Sequence, residues 1–239
     1  MTRRGLRIGI DGRELVGHPT GVGRYLRSLL RRFVKHPDHR FVVFAPSPVE
    51  LPAASDRLEV RVLAGGVSLG FEQRMLPAAL RREGIDVLLA PAYSCPLLTK
   101  VPRVTALHDL SFFARREEFG FLHGLRRRVM ARGSASVSRS LLACSPFTRA
   151  EVQRHLGTSA ALKTAVVLLG PDDDLPAGPP RSEARAALGL ADASPLIVTV
   201  GTVLRRRGVS TLVRAFAETR RICPTARLAI VGENRSHPF

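Results

Sequence analysis

Two glycine-bearing loops, one histidine at a strand end and one run of arginines are the places in this chain where residue type and spacing can do chemistry. In the first loop, Thr20-Gly21-Val22-Gly23-Arg24 follows the apolar strand pattern of Leu6, Ile8 and Ile10, and leads into Val22, Leu26, Leu29, Leu30 and Phe33 at helical spacing. In the second, the continuous apolar run Leu196–Val200 ends at Gly201. Arg205-Arg206-Arg207-Gly208 follows, and Val209, Leu212, Val213 and Phe216 then fall on one helix face. A strand that feeds a helix through a glycine loop aims backbone N–H groups and the helix's positive end at one spot, which suits a phosphate. Gly21 and Gly23 also fit a plainer reading, in which they only permit a turn and close packing. His108, followed by Asp109, closes a strand over Arg103–Leu107, where an imidazole can hydrogen-bond a ligand hydroxyl. A lone histidine there is otherwise structural, or a metal ligand. Arg206 and Arg207 add two cations to the second loop, or else belong to a solvated basic run.

The elements that must position these residues alternate along the chain. Strands are expected at Arg40 to Ala45, Arg57 to Leu63, Ile85 to Leu89, Arg103 to Leu107 and Ser140 to Ala143. Helices are expected at Phe71 to Glu83, at about Phe121 to Ser138, and at Pro146 to His155 with Ser145 as its cap. Such alternation predicts a parallel α/β sheet. Residues 172–181, with Pro171 before them, three aspartates, Pro176, Gly178, Pro179 and Pro180, read as a linker between a domain over 1–171 and a second over 182–239. Past the linker come a short helix from Ser182 to Leu188, the second strand-loop-helix unit and a strand from Ala226 to Val231. The fold class is therefore α/β with two Rossmann-like doubly wound domains facing across a cleft, the second too short to close and read as truncated.

A formal net charge of +17, carried almost wholly by arginine, implies anionic partners: sugar nucleotides, an anionic membrane surface or nucleic acid. Nucleic acid fits worst, since aromatic residues make up 5%, Trp is absent and no RNA-binding or zinc-finger signature is present. Cys95, Cys144 and Cys223 are scattered without metal-ligand spacing, which predicts no disulfides and a reducing, cytoplasmic compartment. No apolar run approaches the roughly 20 residues of a membrane span.

Several segments, in order, resemble the family 4 retaining glycosyltransferases, which have GT-B architecture. They are Ile8-Gly9-Ile10-Asp11-Gly12-Arg13, Thr20-Gly21-Val22-Gly23-Arg24-Tyr25, Ala90-Pro91-Ala92-Tyr93, His108-Asp109-Leu110-Ser111-Phe112, Cys144-Ser145-Pro146-Phe147-Thr148-Arg149, and Gly201-Thr202 through Arg206-Arg207-Gly208. The resemblance implies an acceptor-side first domain and a second domain that holds the donor. It also implies transfer of a sugar from a nucleotide diphosphate to a saccharide or lipid-linked acceptor hydroxyl with retained configuration, as in cell-envelope polysaccharide synthesis. On the same ground His108 is expected beside the transferred sugar as the catalytic candidate. Gly21, Gly23, Arg24, Asp109, Arg206 and Arg207 are expected as binding residues, with Asp109 in an orienting or loop-capping role. No metal or cofactor is implied. Arg207 stands where the family has lysine, exchanging a compact ammonium for a planar fork. The family's paired glutamates have no counterpart within these residues, so this chain is expected not to turn over. The rival class is a non-catalytic nucleotide- or anion-binding Rossmann module, or a basic nucleic-acid binder, neither of which needs both His108 and the Arg206-Arg207 pair.

Two helices are strongly basic: Arg24, Arg27 and Arg31 stripe the first, and Arg126, Arg127, Arg128 and Arg132 cluster on the later one. Each is expected to set its apolar side against the sheet and its arginines toward solvent. Alternatively, each lies on the anionic cytoplasmic face of a membrane, which would make the protein peripheral there.

Overall fold

The computed structural model describes residues 5–17, 20–51, 55–66, 68–171, 177–190, 194–204 and 207–234. The chain divides into two compact units, Met1–Asp172 and Asp173–Phe239.

The first unit is built on a sheet of β1 (Arg7–Asp11), β2 (Arg40–Ala45), β3 (Leu58–Val62), β4 (Val87–Ala90), β5 (Arg103–Leu107), β6 (Ser140–Ala143) and β7 (Thr164–Val166), in the order β3-β2-β1-β4-β5-β6-β7. Every pairing is parallel. Helices cover both faces, and β2 shows how the sequence divides them. Phe41 and Val43 pack with Leu26 and Leu30 of α1 (Gly21–Phe33), while Val42 and Phe44 pack on the other face with Phe71, Leu76 and Leu80. The near-continuous apolar run of β2 follows from that double coverage. A third cluster joins Leu107 and Leu141 to Phe112 and Phe113 of α3 (Ser111–Ala114), Ala131 and Ala135 of α4 (Phe121–Val137), Val152 of α5 (Pro146–Leu156), and Ala160 and Ala161 of α6 (Thr158–Leu162).

Several elements differ from expectation. Phe71 to Glu83 is not one regular helix: a π-helical turn, Phe71–Met75, precedes α2 (Leu76–Arg82). The turn is held at its open side by Gln73, whose side chain donates to Cys95 O at 3.1 Å and accepts from Leu97 N at 2.9 Å. The strand expected from Ile85 begins at Val87: Asp86 N donates to Arg7 O at 2.9 Å, but Arg7 N donates to the Asp86 carboxylate at 2.8 Å instead of to a backbone carbonyl. Three short elements, α3, α6 and β7, carry too little periodicity to be read from the chain.

The second unit contains α7 (Arg181–Ala187), β8 (Leu196–Val200), α8 (Val209–Ile222) and β9 (Arg227–Val231), with β8 and β9 paired in parallel. The apolar run of β8 reads as a strand buried on both faces, yet Val200 is 77% exposed and Val198 52%. The sheet has two strands and α8 has no buried residue, so neither face of β8 is fully covered.

Candidate functional site

In a doubly wound sheet, ligands bind beyond the carboxyl ends of the strands where the strand order reverses. Here that point lies between β1 and β4. At the end of β1, Asp11 and Glu72 are both buried and share one cation, Arg13. Its Nη2 donates to Asp11 Oδ2 and to Glu72 Oε1, each at 2.7 Å, and its Nε donates to Asp11 Oδ2 at 3.0 Å. Burial by itself pushes the guanidinium's pKa down. The two carboxylates outweigh it and hold the pKa well above its usual value, so the cation is permanent. The triad ties the π-helical turn to the site edge. Arg13 stands within the first matched segment, but Glu72 lies 59 residues from it, and nothing local in the sequence marks the pair.

Beside this edge stands the start of α1. Thr20 is its N-cap: its hydroxyl accepts from Gly23 N at 2.8 Å and donates to Glu14 Oε2 at 3.0 Å. The helix starts at Gly21, so both glycines lie in its first turn rather than in the loop. They have different reasons to be there. A side chain at Gly23 would collide with the carbonyl of Glu14, so packing demands that glycine, whereas a Cβ at Gly21 would meet nothing within 4 Å. Gly21 is exposed, and no neighbour in its own unit requires it. Arg24, one turn on, is also exposed.

His108 follows β5. Its Nε2 lies 2.9 Å from the carbonyl of Pro91, at the end of β4. A carbonyl only accepts, so Nε2 carries a proton, and in the neutral ring Nδ1 is the acceptor. Tyr25 of α1 meets the imidazole edge-on, with centroids 4.9 Å apart. Burial, and after it Cys144, raises the Tyr25 pKa above its usual value, keeping the phenol protonated. The backbone of His108 is fixed as well. Its carbonyl accepts from Cys144 Sγ at 3.1 Å and Thr148 Oγ1 at 3.2 Å, and Ser145 caps α5 by accepting from Thr148 N at 3.1 Å. The Cys144-to-Thr148 segment thus serves His108. Below the ring, Tyr25, His108, Cys144, Val167 and Leu169 line a hollow of about 10 Å³, room for a single water. Asp109 is exposed and turns back on its own chain, its Oδ1 accepting from Ser111 N at 3.0 Å and Ser111 Oγ at 2.8 Å.

The structure therefore brings Tyr25 of α1 up to His108, which in turn reaches Pro91, while Gly21 and Arg24 are exposed on the opening turns of the same helix. Arg207 belongs to the second unit. There its guanidinium lies against Gly201, at the end of β8, where a side chain would collide with Nη1 and where φ is +139°. Arg206 lies outside the described residues. Among the described residues, no group of His, Cys, Asp and Glu is placed to hold a metal ion, and no helix is long and apolar enough to cross a membrane.

Residues 19–175 match the family model of Glycosyltransferase Family 4. The chain belongs to Glycosyltransferase Family 4. Among curated proteins it is similar to the GDP-mannose-dependent alpha-(1-6)-phosphatidylinositol monomannoside mannosyltransferase of Mycolicibacterium smegmatis, at 35% identity over 220 residues, covering 89% of this chain and 57% of that protein. The chain thus spans less than two thirds of that relative's length. Among solved structures, Anabaena HepE in complex with UDP-glucose superposes with a TM-score of 0.67 at 20% identity, over 95% of this chain and 61% of that one. The UDP-GlcNAc 2-epimerase of Neisseria meningitidis bound to UDP-GlcNAc superposes with a TM-score of 0.55 at 13% identity, over 94% of this chain and 65% of that one. These superpositions show the GT-B fold, which glycosyltransferases share with epimerases, and they leave the reaction to the family and the site.

Proposed function

We propose that the chain forms the acceptor-side domain and the beginning of the donor-side domain of a retaining glycosyltransferase. It moves a hexose, with mannose favoured, from a nucleotide diphosphate to a hydroxyl of a lipid-linked or saccharide acceptor in cell-envelope synthesis. The observation that carries this reading is the doubly anchored His108. Its ring is gripped through Nε2 by Pro91 and along its edge by Tyr25, and its carbonyl by Cys144 and Thr148. Such anchoring presents Nδ1 in one direction, where it accepts from a hydroxyl of the transferred sugar and holds that ring beside the acceptor. Gly21 lets the acceptor approach the start of α1, and Arg24 flanks it. Arg206 and Arg207 would neutralise the departing diphosphate, so the reaction needs no metal or organic cofactor. Asp109 shapes the turn after His108. The mannose-using relative supports the donor, and its phosphatidylinositol-linked acceptor supports a peripheral location at the cytoplasmic face of a membrane.

The test is product mass with GDP-mannose or UDP-glucose and a phosphatidylinositol mannoside as acceptor. A protein that joins these residues to a complete donor-side domain is expected to transfer the sugar, and the 239-residue chain by itself is expected to give no product. In that longer protein, His108→Ala should lower kcat by about a hundredfold or more, the scale of a lost transition-state hydrogen bond, with little change in KM. Full activity of the His108→Ala protein would overturn the assignment.

A further inference from the structure

Helix α4 is built inside out. Of its 17 residues, those that face the protein are small or polar: Gly124, Ala131, Ser134 and Ala135 are buried, as is Arg128, whose Nη1 donates to Phe112 O at 3.1 Å. Its large apolar side chains from Phe121 to Val129 face away, while Met130 and Val137 are half-buried. Phe121 and Leu122 are each 77% exposed, Val129 56% and Leu125 43%. Positions 121, 125 and 129 recur every four residues, with 122 beside them, so they form one ridge over the first turns of the helix. A soluble helix does the reverse, and an unbroken apolar ridge on a surface marks a contact site.

The charge around the ridge selects what it contacts. The four arginines of α4 do not act alike. Arg128 is buried and Arg127 lies over the rings of Tyr93 and Phe119, while Arg126 and Arg132 are exposed on the ridge side, Arg132 with its Cζ 4.6 Å from the Phe113 ring centroid. The helix contains no acidic residue. Large apolar groups between exposed arginines, on a chain of net charge +17, match a surface that is anionic at its boundary and apolar beneath.

We infer that the ridge Phe121, Leu122, Leu125 and Val129, with Arg126 and Arg132 beside it, docks the protein on the surface of an anionic lipid bilayer. The apolar side chains enter the acyl boundary, and the two guanidinia stay at headgroup level. Helix α1 is no part of this contact, because its apolar stripe is already used in the core. The inference builds on the reading of a lipid-linked acceptor, and vesicle binding measured without donor or acceptor holds or fails separately from sugar transfer.

The experiment is sedimentation of the 239-residue chain with vesicles of phosphatidylcholine alone or of phosphatidylcholine mixed with phosphatidylglycerol, at low and high salt, alongside gel filtration of the lipid-free protein. Binding is expected only to the anionic vesicles and should fade with salt. The double variant Phe121→Ser with Leu125→Ser should bind more than about tenfold more weakly, and Arg126→Gln about fivefold more weakly. Leu162→Ser removes an equally exposed apolar residue from α6 and should bind as the unaltered chain does. Circular dichroism confirms that the variants are folded. Binding without regard to lipid charge, or unchanged in the double variant, would overturn the proposal. So would a lipid-free dimer that the double variant dissociates, since the ridge would then be an interface between copies of the chain.

Discussion

Helices α1 and α4 are both rich in arginine, both lack acidic residues, and both pack against the same parallel sheet, yet they bury opposite kinds of residue. Leu26 and Leu30 of α1 are fully buried, and its arginines take the outer side, with Arg27 donating to Glu50 O at 3.0 Å. In α4 the leucines and phenylalanine are outside. The cause lies beneath the helix rather than in it. The connection from β4 to β5 runs directly under α4, where Ser134 Oγ accepts from Cys95 N at 2.9 Å, and a side chain at Gly133 would press on Leu97. Ser138 continues the seam, its hydroxyl 2.8 Å from Thr105 Oγ1 and donating to Ser134 O at 2.7 Å. A buried backbone N–H must be satisfied, and a loop this close leaves room only for small side chains. The small face of α4 therefore goes in and carries the large face out. Hydrophobic periodicity reveals that a stripe exists; the surface beneath decides which stripe is buried.

This contrast can be broken by mutation. Leu30→Ala in α1 should cost about 2–5 kcal/mol in urea unfolding, whereas Val129→Ala in α4 should stay within about 0.5 kcal/mol. Equal losses would show that α4 buries its ridge after all. Within α1 itself, Gly23→Ala forces a methyl into the Glu14 carbonyl and should destabilise by about 1–3 kcal/mol. Gly21→Ala meets open space and should not destabilise; if it does, the separation of a packing glycine from one that faces open space fails. Thr20→Ala removes the cap that holds Gly23 N and should cost about 1 kcal/mol, read from the shift in the unfolding midpoint. The smallest effect is expected of Phe121→Ser with Leu125→Ser, within about 0.5 kcal/mol of the parent in stability while vesicle binding weakens. A large loss of stability there would place the ridge in a core.

Much of the fold is legible because its strands are short apolar runs that end in strong punctuation. The bounds of β2, β5, β6 and β8 coincide with their apolar runs, and Ser145 with Pro146 marks the start of α5 through a cap and a first-turn proline. The π-helical turn at Phe71–Met75 is not legible, since its hydrogen-bond slip follows from Gln73 and Glu72 reaching distant partners. In the site, the residue types of His108, Gly21 and Asp109 announce themselves at strand and helix ends. The partners of His108 do not, because Tyr25, Pro91 and the Cys144-to-Thr148 pair come from three other segments. The arginine cluster of α4 also misleads as written: Arg128 becomes a buried cation, Arg127 a half-buried one over aromatic rings, and Arg126 and Arg132 stay exposed, Arg132 also beside a ring.

By itself the sequence determined the alternation of strand and helix, the glycine and histidine positions at strand ends, and the family. Those are properties of local backbone preference and short-range pattern, and they persist in any arrangement that buries the apolar runs. Only the tertiary structure decided that Gly23 is a packing residue while Gly21 faces open space, that Asp11, Arg13 and Glu72 share a buried charge, and that α4 presents its large apolar side outward. Each of those depends on which distant segment lies alongside, and the close approach of one chain segment to another is set by the whole packing arrangement.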